Sequence, residues 1–427
     1  MNELSRRTLF KNLASAAVAS AGPAALSALA ASDKIQMGWI GSGGRGRYLL
    51  DMAYAGSASG INVTDICDTY SGNLAKGKDI ISTKGGKTPK THSDYRQLLA
   101  DKSIDAVVIA TPEHLHHRML LDAVAAGKNV YVEKPLAHTI EEAQEIRRVT
   151  AGKKNVIQVG TQNRSNSLYQ MAKTLMSQGL IGDCHYVRAF WYRNALANGA
   201  PAWRYDVPSE ANEQNADWKR FLGTARSRSW DPQRYFQWRL YWDYSNGIAT
   251  DLMVHQTDIS AFCLGIGISE EVIANGGVYR WTGAKDDREV PDTLSCILDY
   301  PTKKMQVNYS CYLGNARQGY GEQFMGNEGT IEVISRQTLS FYPEDYAGVP
   351  DAVKARKPLT LTIPGNDNLA VQSHIRNWLN AIRGADKLIA PVQAGYEAAI
   401  TGLLSTVSLR NGRKVKWDNA ADKYTMS

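Results

Sequence analysis

Cysteine is scarce in this chain. Its 427 residues hold five, Cys67, Cys184, Cys263, Cys296 and Cys311, an odd and widely spaced set. A disulfide framework or a zinc cage needs thiols in pairs or clusters at short spacing; these sit instead in apolar patterns that read as small buried hydrophobes. Blocks of one charge are also lacking. The formal net charge is +7, but it is spread along the chain, so neither nucleic acid nor a membrane surface is indicated as a partner. After the first thirty residues no run of about eighteen apolar residues occurs, and no membrane span is expected. Apolar, glycine and proline contents are those of an ordinary globular protein, and the length suits two or three domains.

Residues 1–30 are set apart. Ser5-Arg6-Arg7-Thr8-Leu9-Phe10-Lys11 precedes an alanine-rich, moderately apolar run, and Ala28-Leu29-Ala30 offers small residues for cleavage. This layout reads as a twin-arginine signal peptide, which predicts a periplasmic or otherwise exported protein. Such export carries folded proteins, so a cofactor loaded in the cytoplasm is able to travel inside its protein.

The stretch Lys34–Gly46, KIQMGWIGSGGRG, organises the rest of the chain. An apolar run ends in Gly41-Ser42-Gly43-Gly44-Arg45-Gly46, and a helical pattern begins at once. In a strand–turn–helix of this kind Gly41 permits the reversal, Gly43 lets backbone approach a pyrophosphate and Gly46 lets helix pack on strand. The next strand pattern, Ile61–Ile66, leads to Asp68, about twenty residues past the turn, where a carboxylate accepts hydrogen bonds from the adenosine ribose. That carboxylate would repel a 2′-phosphate, and Thr69-Tyr70-Ser71 brings no arginine to receive one, so NAD is expected over NADP.

From residue 33 to 160 strand patterns (35–40, 61–66, 106–110, 129–132, 156–160) alternate with helical ones (45–54, 73–82, 94–100, 114–126, 141–150). The alternation predicts an α/β Rossmann domain, a doubly wound parallel sheet whose crevice lies at the carboxyl ends of its strands. The residues just after those strands are therefore the ones to read for chemistry: Asp68, Thr111-Pro112-Glu113 and Glu133-Lys134-Pro135. From 161 to 427 a helix (165–178) gives way to strand patterns at 186–192, 271–279, 293–300, 305–312 and 330–334, with helical patterns at 371–383 and 391–411. Successive strands without intervening helices predict an α+β domain with a large, mostly antiparallel sheet. An open face on that sheet would favour a dimer or tetramer.

Six of the ten tryptophans (Trp191, Trp203, Trp218, Trp230, Trp238, Trp242) crowd residues 189–247, interleaved with Arg193, Arg204, Arg234 and Arg239. Flat faces beside fork-shaped donors suit a sugar or polyol; the same residues equally serve to glue a long irregular insertion in place.

Thr111-Pro112-Glu113-His114-Leu115-His116-His117, then Glu133-Lys134-Pro135, then Gly160-Thr161-Gln162-Asn163-Arg164 come after the glycine turn in order. Together these resemble the Gfo/Idh/MocA oxidoreductases, the family of glucose–fructose oxidoreductase and inositol dehydrogenase. The resemblance implies that Lys134 reaches the oxygen on the reacting carbon. It also matches Asp251 and His255, in Gly247-Ile248-Ala249-Thr250-Asp251-Leu252-Met253-Val254-His255, to the family's D-x-x-x-H pair, implying proton transfer by His255 with Asp251 as its companion. By spacing alone an i, i+4 Asp–His pair shares one helix face and reads as structural. Where the family often has a run of glycines, this chain has Asn246-Gly247-Ile248. The histidine triplet fits no common zinc spacing, and no metal site is expected. The dinucleotide is expected to lie on Gly41, Gly43, Gly44, Arg45, Gly46, Asp68, Thr111, Pro112, His116, Glu133, Lys134 and Gln162. The expected activity is NAD-dependent oxidation of a secondary hydroxyl on a sugar, sugar derivative or polyol. The alternative is a glycosidase that oxidises transiently, eliminates the aglycone and recycles NAD; the carboxylate pair of ordinary glycosidases cannot be singled out here.

Overall fold

The computed structural model describes residues 34–283 and 286–427; the expected signal peptide lies outside the described residues. The first half alternates as the periodicity predicts: β1 (Ile35–Ile40), α1 (Gly44–Ser57), β2 (Ile61–Cys67), α2 (Ser71–Gly85), β3 (Lys90–His92), α3 (Tyr95–Ala100), β4 (Ala106–Ile109), α4 (His116–Ala125), β5 (Asn129–Val132), α5 (Ile140–Thr150) and β6 (Ile157–Val159). The strands pair in parallel in the order β3-β2-β1-β4-β5-β6. β4 is buried along its whole length, as a strand covered on both faces must be. The order reverses between β1 and β4, and the crevice beyond their carboxyl ends is the ligand position of such sheets. The short, polar β3 carries no alternation and was not foreseen. α5 opens with a capping box in which Thr139 and Glu142 satisfy each other's backbone N–H.

The second half continues with α6 (Ser167–Ser177), β7 (Cys184–Tyr192), the short helices α7 (Trp218–Leu222) and α8 (Pro232–Phe236), α9 (Val254–Leu264), β8 (Glu271–Gly277), β9 (Thr293–Tyr300), β10 (Met305–Tyr312), β11 (Tyr320–Gly326), β12 (Gly329–Ile334), β13 (Thr338–Pro343), α10 (Asp351–Lys354), β14 (Leu359–Thr362), α11 (Asn366–Ile382), α12 (Val392–Asn411), β15 (Val415–Asp418) and β16 (Lys423–Met426). Its ten strands run β14-β13-β12-β11-β7-β10-β9-β8-β15-β16. All neighbouring pairs with a described register are antiparallel except β7 with β10. In β10 buried and partly buried residues alternate strictly, as its sequence does.

Two late helices tie the halves together. Ala394 to Ser408 of α12 is buried nearly all round, against the second sheet on one side and α5 on the other. α11 starts against the second domain and crosses to the first: Val371, Ile375, Trp378 and Leu379 join Trp39, Leu50 and Tyr131 in the core on one flank of the nucleotide sheet. The Trp378 indole donates to the Val156 carbonyl (3.2 Å), and the Gln158 amide donates to the His374 carbonyl (2.7 Å).

Candidate active site

The glycine turn is fixed by close approach. Gly41 has φ +90°, and a Cβ there would lie 2.7 Å from the Ala110 carbonyl; a Cβ on Gly46 would lie 2.0 Å from the Gly41 carbonyl. No side chain caps α1 and its first turn holds no acid, while beside Gly44 there is open space. The first N–H groups and the positive end of the helix are thus unshielded where they meet the cavity, which is what a pyrophosphate requires. Arg47 braces the turn by donating to the Ser42 carbonyl (2.6 Å) and to Asn73 Oδ1 (3.1 Å).

Asp68 accepts from the Ser42 N–H (2.7 Å), the Ser42 hydroxyl (3.2 Å) and the Tyr70 N–H (2.9 Å). Burial pushes its carboxyl up, against these hydrogen bonds. Beyond it the aromatic segment folds back over the crevice. Ser71 donates to the Asn215 carbonyl (2.9 Å), Asp217 to that of Thr69 (2.7 Å), and the Thr69 and Tyr235 hydroxyls meet at 2.6 Å. The segment therefore divides its roles. Trp218 and Trp230 join Phe221, Tyr235 and Tyr244 in an aromatic cluster that holds this roof together, whereas Trp191, Trp203 and Trp238 border the cavity with Arg193 and Arg239.

At the other end of the crevice the residues after β5 meet those preceding α9. Arg45 donates to Glu133 (2.8 Å) and Gln162 (3.3 Å), so three expected cofactor residues contact one another. Lys134 Nζ donates to the Asp251 carbonyl (2.6 Å) and to Asp251 Oδ1 (3.0 Å); Arg239 Nε donates to the same oxygen (3.1 Å). Burial alone would push the Asp251 carboxyl up, but Lys134 and Arg239 outweigh it and hold the group well below the usual carboxylate range. His255 is 6% exposed and lies along the Trp191 ring (centroids 6.2 Å apart, 28° between planes). Burial, then the charges of Lys134 and Arg336, keeps it well below the ordinary histidine value, so the imidazole is neutral.

The structure corrects one expectation. Asp251 is not hydrogen-bonded to His255, whose Nδ1 is buried without a partner. Residues Ala249–Met253 form a π-helical turn, which widens the spiral assumed in an i, i+4 argument, and two cations draw the carboxylate toward Lys134. Asp251 is the companion of Lys134.

The histidine triplet diverges. His114 Nε2 meets the Phe221 carbonyl (2.7 Å), His116 lies between the Pro135 (2.7 Å) and Thr111 (2.9 Å) carbonyls, and His117 faces Glu145 (2.9 Å). His116 borders the cavity but acts as a brace between the loops after β4 and β5. Glu113, from the same segment, is buried; it accepts from the Asn246 N–H and from the Thr250 hydroxyl (2.9 Å), joining the nucleotide domain to the π turn. Burial pushes its carboxyl up to about 8. The His138 ring, 4.0 Å away, is held down at about 4 by burial, so both are neutral near pH 7 and the contact is no ion pair.

Every expected catalytic and cofactor residue except Gly46 borders a single cavity of about 1420 Å³ running from Asp68 to His255; Gly46 lies beneath the turn, in its packing role. Room for a dinucleotide, a bare helix N-terminus and an acidic strand end fit NAD. Sequence reasoning pointed to Glu113 without giving it a role, and it missed the pairing of Arg239 with Asp251, although Arg239 lies in a segment it singled out. It also missed Arg336, which borders the same cavity and which no motif marks.

Comparison with known proteins agrees with this geometry. Residues 35–161 match the family described as oxidoreductase family, NAD-binding Rossmann fold, and residues 223–417 match its C-terminal alpha/beta domain. A glycosyl hydrolase family 109 protein of Solibacter usitatus is 30% identical over 285 residues, 61% of this chain and 60% of that one. An α-N-acetylgalactosaminidase of Shewanella oneidensis is 27% identical over 201 residues, 45% of this chain and 40% of that one. The chain thus spans 60% or less of the length of these curated relatives. A levoglucosan dehydrogenase solved with NADH and levoglucosan superposes with a TM-score of 0.67 at 19% identity, over 92% of this chain and 99% of that one, a likeness of fold. Matched in both halves, the chain belongs to the Gfo/Idh/MocA oxidoreductase family.

Proposed function

We propose that the protein oxidises a secondary hydroxyl of a sugar, sugar derivative or polyol, with NAD as the hydride acceptor. The observation that carries this reading is that Lys134 and His255, from different halves of the chain, border the same cavity as the glycine turn. Lys134 donates to the alcohol oxygen and stabilises its developing negative charge. Asp251, ionised by Lys134 and Arg239, anchors that ammonium group. His255, neutral, accepts the hydroxyl proton. Bound NAD supplies the hydride acceptor that no side chain provides. Asp68 favours NAD over NADP, and the roof bonded to residues 69–71 favours a cofactor that stays bound through a reaction cycle.

The second reading is a glycosidase in which oxidation, elimination and return of the hydride give net hydrolysis. The glycosyl hydrolase relatives favour it, and a retained cofactor suits it. Purified protein carrying its own cofactor, mixed with a panel of sugars and aryl glycosides, separates the two. A net absorbance change at the nicotinamide band is the result expected of a dehydrogenase, and aglycone release without net reduction that of the glycosidase. Neither signal with any sugar sinks both. Mass spectrometry of the cofactor released from the same sample is expected to find NAD, and NADP alone would refute that assignment.

We further propose export by the twin-arginine route, checked by fractionating an Arg6→Lys/Arg7→Lys double variant, which should accumulate in the cytoplasm. Ile273 and Ile297 are cross-strand partners on the second sheet and are 47% and 42% exposed. The sheet face around these two isoleucines is the proposed surface of a homo-oligomer, and Ile273→Glu should lower the mass seen by light scattering.

A further inference from the structure

Trp203 takes left-handed backbone, φ +64°, a conformation that a bulky residue keeps only where its surroundings impose it. Here the chain is tied down on both sides of the turn. The Ala202 carbonyl accepts from Arg288 Nη2 (3.1 Å), and the Tyr205 carbonyl accepts from Gln237 Nε2 (2.6 Å). Between them Arg204 donates to Gln237 Oε1 (2.6 Å), to Asp286 Oδ1 (3.0 Å) and to Asp287. Arg288 donates in turn to Asp286 through Nε (2.9 Å) and Nη2 (2.8 Å). This network, in which Gln237 and Arg288 are buried, fixes one short turn that brings two aromatic side chains, Trp203 and Tyr205, to the cavity wall.

Tyr205 is 50% exposed and still borders the cavity, so it marks a mouth. That mouth lies over the reacting end. Gln237, which holds Tyr205, directly precedes Trp238 and Arg239; both border the cavity, the Arg239 guanidinium carbon lies 4.2 Å from the Trp238 ring, and Arg239 Nε reaches Asp251. Burial works against the Arg239 cation, while Asp251 and then the Tyr205 phenol hold it up, so the Tyr205 ring reaches in toward the Lys134–Asp251 pair. Farther along, the same segment passes to the opposite end of the crevice, where Glu210 accepts from the Tyr70 hydroxyl (3.0 Å) and Asn215 from the Ser71 N–H (2.9 Å). A single sugar ring seated between Lys134 and His255 has Trp191 for its wall and leaves Tyr205 uncovered. Flat faces with polar tips at a half-exposed mouth suit a further ring that packs one face and keeps its polar groups wet. Asp206, exposed at the same mouth, disfavours an anionic group there.

We infer that the substrate is a glycoside and not a free monosaccharide: one ring is oxidised between Lys134 and His255, and the group linked to it, a neutral second ring, packs on the rim formed by Tyr205, Trp203 and Trp238. The inference rests on the sugar-oxidising reading, narrows its substrate class, and holds whether the hydride is kept by the cofactor or returned. The pinned turn keeps the rim in place before the ligand arrives, so the second ring finds its seat without ordering a loop.

The test is turnover and calorimetric titration of the cofactor-loaded protein with a panel of free sugars, their methyl glycosides, their nitrophenyl glycosides and disaccharides; the last two arms tell an aryl group from a sugar as the second ring. For at least one sugar, a nitrophenyl glycoside or a disaccharide is expected to have a KM about fivefold or more below that of the methyl glycoside, the gain of one aromatic contact. Tyr205→Ala is expected to bring that ratio to within about twofold of one, and Tyr205→Phe, which keeps the ring, to preserve it. The ratio is read within one protein, so a smaller folded fraction does not imitate its loss. If Tyr205→Ala fails to fold, the wild-type and Tyr205→Phe ratios still decide. Free or methylated sugars used as well as the longer ligands, a preference that survives Tyr205→Ala, or one that Tyr205→Phe abolishes would each overturn the inference and leave the sugar-oxidising reading standing. A longer glycoside that binds with this preference but is neither oxidised nor cleaved leaves the seat standing and sinks that reading instead; no sugar bound at all sinks both.

Discussion

In the proposed reaction Lys134 and His255 divide the work between an oxygen and a proton, and each has a surrounding that suits its share. Removing a general acid or base commonly lowers rate by about 10²- to 10⁴-fold, so Lys134→Ala and His255→Ala are each predicted to cut turnover at least about a hundredfold while NAD remains bound. Because both act on one hydroxyl, the double variant should lose much less than the product of the two losses. Asp251→Asn tests the electrostatic part of that residue's role. The variant is expected to lose turnover; it also removes the negative charge that raises His255 toward protonation, so the acid limb of the pH–rate profile moves to lower pH. An acid limb that moves up, or stays, would refute His255 as the proton acceptor that Asp251 influences. These three residues were marked in the sequence by motif, and the structure brings all three to one cavity. Arg336 was not, since it reaches the cavity wall through a left-handed turn held by two asparagines, Asn166 and Asn366, distant in sequence, and a lone arginine between two strands carries no signal of either.

At the level of elements, the loop after β4 and the π turn before α9 act as one joint, with Glu113 as its pin. The Glu113 carboxyl, pushed up to about 8 by burial, is neutral at pH 7, so Gln copies its shape and its charge. Glu113→Gln is therefore predicted to keep nearly full turnover, whereas Glu113→Ala leaves the Asn246 N–H and the Thr250 hydroxyl buried without a partner and should lower both turnover and melting temperature. Equal damage from Gln and Ala, in activity assays and thermal melts, would mean that an ionised carboxylate is needed there. The nucleotide sheet was readable strand by strand, because buried parallel strands are apolar runs of fixed type. Much of the second sheet was not. β11 (YGEQFMG) has a glycine at or next to each end and an acid, Glu322, inside the core, and β13 to β16 are strands of four to six residues toward the sheet edges, too short for the alternation in LTLT or VKWD to stand out. The π turn was equally invisible, since its residues read as an ordinary helix start.

Across the whole molecule, buried titratable groups set opposing pH limits. Burial lowers His114 to about 3 and His138 and His374 to about 4, and lowers His116 and His255 as well. A depressed histidine contributes stability that is complete above its unfolded value of 6.5 and is lost as pH falls through its folded value. Glu113 and Glu322 are raised to about 8 by burial; their contribution is complete below 4.5 and is lost as pH rises toward 8. Between 4.5 and 6.5 the unfolded chain binds more protons, because the histidines outnumber the two acids; above 6.5 the folded chain binds more. Thermal melting is predicted to peak at about pH 6.5, with an alkaline limb that Glu322→Gln flattens. A melting temperature that rises steadily from pH 6.5 to 8 would contradict it.

The helix α11 also fixes an order of events during synthesis. The nucleotide sheet is translated early, yet one flank of its core stays open until residues 366–382 have left the ribosome, long after β6 has emerged. Domains usually close as they emerge; this one must wait, with Trp39 and Tyr131 uncovered, for a segment that comes after the entire run from β7 to β14. A chain stopped short of α11 would therefore expose apolar surface to chaperones and proteases, and it would lack Asp367, Asn368 and Val371 from the wall of the cavity.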